Sequence, residues 1–554
     1  MATCLGHTKG YIMSNDLNAG LICHWMLNGD VSDRSRNGND ARVFGDVRLE
    51  SHAAVFDGRG GYLVIPNNGR MHLGRMPFSM TARIWIDSGE AEVIGDIASQ
   101  YDPNTRTGFN FSLADHGGVT CSTSNYRNLN FAIDAGTTPQ WMDCGRVGNA
   151  TMVDALVVHN GCLYASTSEL EGGVGHVYRY SDGVWEDLHL PCKANSVGSL
   201  CSLDGALYAA SGLHDMRGSS LGKAQNLNDE CRVWRMEEDG VWTDCGSPPL
   251  EEDNVSLCVY RGRLYAKSNY SVGLYRYEGE KTWVRCAPSY PRFIALCQWR
   301  GRLYGASNKG LRKLGPPPER ERIFTMLPDA DGVYHYDDRM DVWTGCGKID
   351  GEDQMYCFSV HRGALYVGTW PSAKMYRSTS GMGWEDCGRV HPDEKELMAV
   401  GVYNGMMYTG TLPAADIYRF DGDHRWTKVG QTDQAQGVKY RRAWSMAVHD
   451  GKLFVGTLPS GHVFAMKTGA VACDSRQLTT GWHDVAAVRS SAGVSLYLDG
   501  QLRAQCAGGG ELDLSNDQPL RIGFGAYDYF RGKMMDVRLY NRAINLEEAR
   551  SLCK

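Results

Sequence analysis

The segment VKYRRAW at 438–444 puts a tyrosine, two arginines and a tryptophan within seven residues. Arginine presents a planar fork of N–H donors that fits a carboxylate or sulfate, and aromatic rings offer flat faces for stacking. Comparable side chains recur elsewhere. SYPRF at 289–293 supplies Tyr290 and Arg292, and EDQMY at 352–356 supplies Gln354 and Tyr356. TWPSAK at 369–374 and TLPSGH at 457–462 supply Trp370, Lys374 and His462. Such a set has the parts to neutralise an acidic group, remove a proton through tyrosine or histidine, and protonate a leaving oxygen. The acids Glu352, Asp353, Glu394 and Glu396 also fall nearby. Two carboxylates about 5–10 Å apart would suit glycosidic hydrolysis instead. Any one arginine or tyrosine at a strand end is more often a structural bond; it is the grouping that carries weight.

The elements that would position these residues come from a repeat. Gly-x-Leu/Met-Tyr/Phe occurs seven times, at Gly161, Gly205, Gly262, Gly301, Gly363, Gly405 and Gly451, each preceded by Asn, Asp or Arg. Asn-Gly and Asp-Gly favour the primed turns of β-hairpins. Alternating apolar runs flank each turn, a third strand follows (HVYRY, RVWRM, DIYRF), and a fourth carries Trp185, Trp242, Trp283, Trp343, Trp384 or Trp426. The seventh unit lacks this fourth strand, whereas QWMDCG at 140–145 is a fourth strand with no unit before it. Four-stranded units of roughly 40 residues, closed by a strand from the other end, describe a β-propeller, here of seven blades. The units resemble Kelch-type propellers in architecture.

The flanks do not repeat. Trp25, Asp33, Phe56, Asp57, Gly58, Pro77, Phe78 and Trp85 on one side, and Trp482, His483, Tyr497, Asp499, Gly500, Asp536, Arg538, Tyr540, Asn541 and Arg542 on the other, follow a shared pattern. It resembles the first and second halves of the laminin-G-like, concanavalin A-like jelly roll. The expectation is an all-β chain with the propeller inserted in that sandwich: 1–137 first half, 138–470 propeller, 471–554 second half, with linkers near 131–138 and 468–480. Insertion suits a ring whose ends lie together. The resemblance also implies a structural calcium, with Asp536 of MDVRLY as a ligand; pairing of Asp536 with Arg538 or Arg542 is the competing reading. Jelly rolls of this kind imply glycan binding.

Counting nine residues back from each repeat glycine gives Met152, Ser196, Asp253, Arg292, Gln354, Glu396 and Arg442, expected at the start of the channel-lining strands. The loops noted above reach the same face. Tyr440, Arg442, His462 and Tyr290 form the candidate catalytic set. Arg292, Arg441, Lys374, Trp370, Tyr356, Gln354, Glu396 and Trp444 form the candidate substrate-binding set. Insertions at 211–231 and 308–332 are expected to overhang them as lids.

A net charge of −7 over 554 residues argues against general nucleic-acid binding. No apolar run is long enough to span a bilayer, and the start shows no secretory leader, which suggests a cytoplasmic protein or one whose leader was removed. The 18 cysteines show no C-x-x-C spacing and read as buried thiols. The leading expectation is a carbohydrate-active protein that acts on an acidic, uronate or sulfated glycan by lyase-type β-elimination. A non-catalytic glycan- or protein-binding protein and a glycoside hydrolase are the alternatives.

Overall fold

The computed structural model describes residues 17–553 except 70, 72, 88–93, 117–122, 238–239, 250–254, 269–272, 287–291, 315–321 and 327–331. Among the described residues the chain is all-β apart from a 3-10 turn at Met216–Ser219 and a short helix at Leu546–Ser551. Asn545 caps that helix with a reciprocal Glu548 bond.

Both ends of the chain build one sandwich. The first sheet runs Val47–Leu49, Ala54–Asp57, Arg531–Tyr540, Phe78–Ile86, Gly481–Ser490, Gly493–Leu498, Gln501–Ala507, with Leu21–Trp25 also paired to Arg531–Tyr540. The second runs Arg42–Phe44, Tyr62–Ile65, Leu520–Ile522, Gly95–Asp102, Thr107–His116, Asn125–Ala135, Ala470–Gln477. Alternation explains the faces. In FSMTARIWI the side chains of Phe78, Met80, Ala82, Ile84 and Ile86 are buried, while Arg83 and Trp85 face outward. Trp25, Phe56, Phe78, Phe109 and Phe131 meet in a core drawn from both chain segments.

Between the halves lie five four-stranded sheets and one eight-stranded sheet, in which two four-strand units join at Ser168 and Ser196. Blade one is Met152–His159, Cys162–Ser168, Val177–Ser181 and Val184–Asp187. The last is Arg442–His449, Lys452–Leu458 and His462–Lys467, completed by Gln140–Arg146 with Trp141 opposite Met466. The first strands neighbour one another in cyclic order, and Met152–His159 lies beside Arg442–His449. The crossings between sandwich and ring are shorter than the sequence suggests. Residues 131–135 and 470–477 are strand, and Ile133 pairs with Ala470, so the chain leaves and re-enters at one place.

The repeated tryptophan joins blade to blade. Trp185 donates its indole N–H to Cys144 O (3.1 Å), Trp242 to Leu188 O (2.9 Å), Trp283 to Cys245 O (3.0 Å), Trp384 to Cys346 O (3.1 Å) and Trp426 to Cys387 O (3.1 Å). Trp141 of the closing strand donates in the same way to Val429 O of blade six (2.9 Å). A third-strand aromatic packs on the rings of Trp185, Trp283, Trp343 and Trp426, as in Tyr180–Trp185 and Phe420–Trp426, with centroids 4.7 and 4.8 Å apart.

The hairpin turns all project toward the sandwich. At Asn160-Gly161 and Asn404-Gly405 both residues have positive φ, as a type I′ turn requires. Gly161 N bonds Ser475 O (3.1 Å), Gly363 N bonds Tyr527 O (3.1 Å), and Asn125 of the sandwich makes two side-chain bonds with the backbone of Val448 (2.8 and 2.7 Å). Tyr527 donates to Val402 O (2.9 Å) and Trp299 donates to Asp528 (2.7 Å). The second sheet thus covers the turn face of the ring. The first strands begin on the opposite face.

Candidate functional site

The first strands begin where the repeat places them. Met152, Ser196, Gln354, Glu396 and Arg442 each open a first strand, and Arg292 immediately precedes Phe293–Trp299. Asp253 and Tyr290 lie outside the described residues.

Five blades contribute to one charged group. Arg442 is buried, with its guanidinium 3.9 Å from the buried Glu396 carboxylate. It lies 5.8 Å from the Tyr440 ring and 5.9 Å from the Trp444 ring. Tyr356 donates its hydroxyl to Glu396. Burial first, then the adjacent Glu396 charge, holds the Tyr356 phenol well above its ordinary pKa, although Arg442 and Arg292 pull the other way. Arg292 is buried and close enough to a buried Lys267 to act on its charge. Burial, reinforced by Arg292, pushes the Lys267 ammonium well below its usual pKa. The group therefore sets Arg442 against Glu396, places Arg442 and Arg292 within electrostatic reach of the Tyr356 phenol, and continues from Arg292 to Lys267.

The 211–231 insertion closes over this group. Ser219, in the 3-10 turn, hydrogen-bonds the Arg442 guanidinium from blade two. Gln225 N bonds Leu170 O (3.0 Å), and Asn226 bonds Gly173 O and Lys193 O (3.0 Å each), which fixes the rest of the insertion along blade one. The second insertion forms a hairpin, Gly310–Leu314 with Arg322–Met326.

Other expected residues stand apart. Lys374 donates to Asp386 (2.7 Å), which raises its pKa, and His462 lies 3.0 Å from both oxygens of Asp143. Both open third strands, two strands out from the channel, and each serves a fourth strand. Arg441 is held on blade six by Pro413 O, through its backbone N–H (2.9 Å) and its Nε (3.5 Å). Gln354 pairs with Trp370 and bridges to Asn308, so both belong to the rim of blade five.

The acids are sorted as well. Glu352 accepts from Ser372 N (3.4 Å), Glu394 from Ala414 N, and Asp433 from Ser460 N (2.9 Å). Each is the residue after the proline in TWPSAK, TLPAAD or TLPSGH, so these three acids cap the same loop in successive blades. Asp353 faces Lys309 (3.4 Å). Of the four acids proposed for hydrolysis, Glu396 alone joins the charged group.

Asp536 does not suit calcium. Its Oδ1 lies 2.8 Å from His24 Nε2 and 2.8 Å from Arg538 Nε, and its Oδ2 lies 3.2 Å from an Arg538 terminal nitrogen. Calcium requires six to eight oxygens, and a guanidinium on the carboxylate competes with it. The pairing with Arg538 is the reading the structure carries.

Sequence reasoning missed Lys267 and Ser219. Lys267 had a signal: at its place in the repeat the other blades have Ser166, Ala210, Ala306, Gly368, Gly410 and Gly456. Ser219 had none, because its contact depends on how the insertion folds back.

Residues 424–550 match the family model described as the concanavalin A-like lectin/glucanases superfamily. The match begins inside blade six, while the sandwich strands of this region start at Ala470. No curated protein matches the chain. Solved structures similar to it include virginiamycin B lyase from Staphylococcus aureus, 10% identical over 59% of this chain and 99% of that chain, with a TM-score of 0.40. YCF48 bound to D1 peptide is 12% identical over 60% and 97%, with a TM-score of 0.38. The GH74 xyloglucanase from Xanthomonas campestris is 14% identical over 63% and 59%, with a TM-score of 0.41. At these scores the likenesses carry no functional information. The chain builds a two-sheet β-sandwich from its two ends and carries a β-propeller between the halves, and its residues 424–550 are similar to the concanavalin A-like family.

Proposed function

We propose that the protein binds an acidic glycan at the propeller mouth, with the sandwich bracing the ring from behind. The observation that carries this is the buried Arg442 against Glu396, beside the Tyr440 and Trp444 rings, with Arg292 also acting on the neighbouring Tyr356. A uronate carboxylate or sulfate would pair with Arg442, and the rings would stack on the sugar. Entry requires the 211–231 insertion to release Arg442 from Ser219. The concanavalin A-like match agrees with a carbohydrate ligand.

Lyase-type turnover is a second reading, favoured by one feature. The Tyr356 hydroxyl is kept protonated beside Arg442, where it could protonate O4 as the C5 proton leaves and the C4–O bond breaks. With His462 on Asp143, the base in that reading falls to Tyr440. The test is calorimetric titration with oligouronates and sulfated oligosaccharides, with absorbance at about 235 nm, the range of the unsaturated elimination product, followed in parallel. Arg442→Ala is expected to weaken binding at least tenfold, the scale of one lost charge-assisted hydrogen-bond pair. Equal affinity in wild type and variant would refute the site. A rise in absorbance that Tyr356→Phe abolishes would establish turnover.

A further inference from the structure

We propose that the cleft between the sandwich and blades three and four is a second binding site, for a small polyanion bearing sulfate or phosphate groups. The cleft has a volume of about 440 Å³, within the range of small-ligand pockets. It opens on the turn side of the ring, away from Arg442.

Its walls come from two folds. The sandwich supplies Arg59 and Arg531; the propeller supplies Arg261, Arg300, Arg302 and Arg339. Two acids, Asp337 and Asp338, are the only carboxylates in the lining, and Arg261 engages Asp338 with a two-pronged bond (3.0 and 2.8 Å). Six guanidinium groups around one cleft run against the net charge of −7 for the whole chain. Guanidinium groups hydrogen-bond tetrahedral oxyanions through paired N–H groups, and several of them together select a ligand with several such groups.

Two further observations point the same way. Arg261 and Arg300 occupy the left-handed turn position at φ 48, as does Arg362 of blade five outside the cleft, where the remaining blades use Asn160, Asp204, Asn404 and Asp450. Arginine adopts that conformation at a steric cost that Asn and Asp avoid, and in blades three and four it brings a guanidinium to the cleft wall. Arg300 uses its donors on Thr379 O and Gly363 O (2.8 and 3.1 Å) and forms the wall. Arg59, Arg302 and Arg339 remain exposed within the cleft. The second observation is His335. Its ring lines the cleft, and its buried Nδ1 has no hydrogen-bond partner among the described residues.

The test is calorimetry on the full chain with two probes, a sulfated disaccharide and myo-inositol hexakisphosphate; the unsulfated disaccharide and myo-inositol serve as neutral controls. Saturable binding of at least one charged probe is expected, and the tighter arm identifies sulfate or phosphate. The Arg302→Ala/Arg339→Ala double variant should weaken it about tenfold or more, and added salt should weaken it further. Arg59→Ala, on the other fold, should weaken it independently and decides the matter if the double variant misfolds. Titrated in the Arg442→Ala background, where the mouth is weakened, the charged probe should keep a saturable site that responds to the cleft variants, which separates this site from the mouth. Absence of saturable binding in both arms, affinity insensitive to the cleft variants, or loss of all saturable binding in the Arg442→Ala background would each overturn the proposal.

Discussion

Arg442 shows how burial decides what a charged residue can do. It lies under Ser219 and against Glu396, so a ligand must replace contacts already made. Ser219→Ala removes the latch and leaves the cation in place. It is expected to raise affinity for an acidic oligosaccharide a few-fold, measured by titration, because less must be broken on entry. The histidines before the turns have a different task. His361 gives its Nδ1–H to Ala526 O of the sandwich (2.7 Å), and burial lowers its pKa to about 3. An unfolded histidine titrates at about 6.5. The folded value is depressed, so the stabilisation is complete above the unfolded value and is lost as pH falls from there toward 3. The wild type should therefore melt above His361→Gln at pH 7, and the gap should narrow steadily toward pH 4. A gap independent of pH would contradict a neutral, buried imidazole at the interface. In the sequence His361 shows only as the start of one repeat turn; its role depends on the sandwich loop that meets it.

At the scale of elements, the repeat was legible because each blade makes the same demands. The turn needs two residues at positive φ, the strands alternate, and the tryptophan must reach the previous blade. The nine-residue offset from the turn glycine finds the strand starts for the same reason: strand length is set by the radius of the ring. It could not tell which side chains on the mouth face meet. Lys374 and His462 begin third strands, and no spacing rule reports how far a third strand stands from the channel. Glu352 and Glu394 read as candidate acids because capping by a side chain leaves no mark in composition. The inter-blade tryptophan bond can be tested directly. Trp426→Phe keeps an aromatic ring on Phe420 but removes the donor to Cys387 O, at a cost of about 1 kcal/mol. A drop in thermal midpoint of about 1 °C is expected for a chain of this length; no change would mean the bond is replaced by water.

At the scale of the whole molecule, the sandwich and the ring share one set of contacts. The order of the two half-patterns in the sequence indicated the insertion, because both halves must be present to fill one core. It gave no sign that the second sheet lies against the turns, since Tyr101, Asn125 and Tyr527 read as ordinary strand and loop residues. A fragment spanning 138–470 would expose Trp299, Tyr403 and the turn face. It is expected to melt below the full chain and to bind a hydrophobic dye; equal melting would show that the ring does not depend on its host. The most direct measurement of the central claim is hydrogen exchange by mass spectrometry on the full chain, with and without an oligouronate. The account predicts slower exchange at 438–444 and 354–358 on binding, with altered exchange across 211–231 as the insertion releases and re-forms its contacts. A footprint confined to the outer face of the sandwich, or none on the ring, would contradict it.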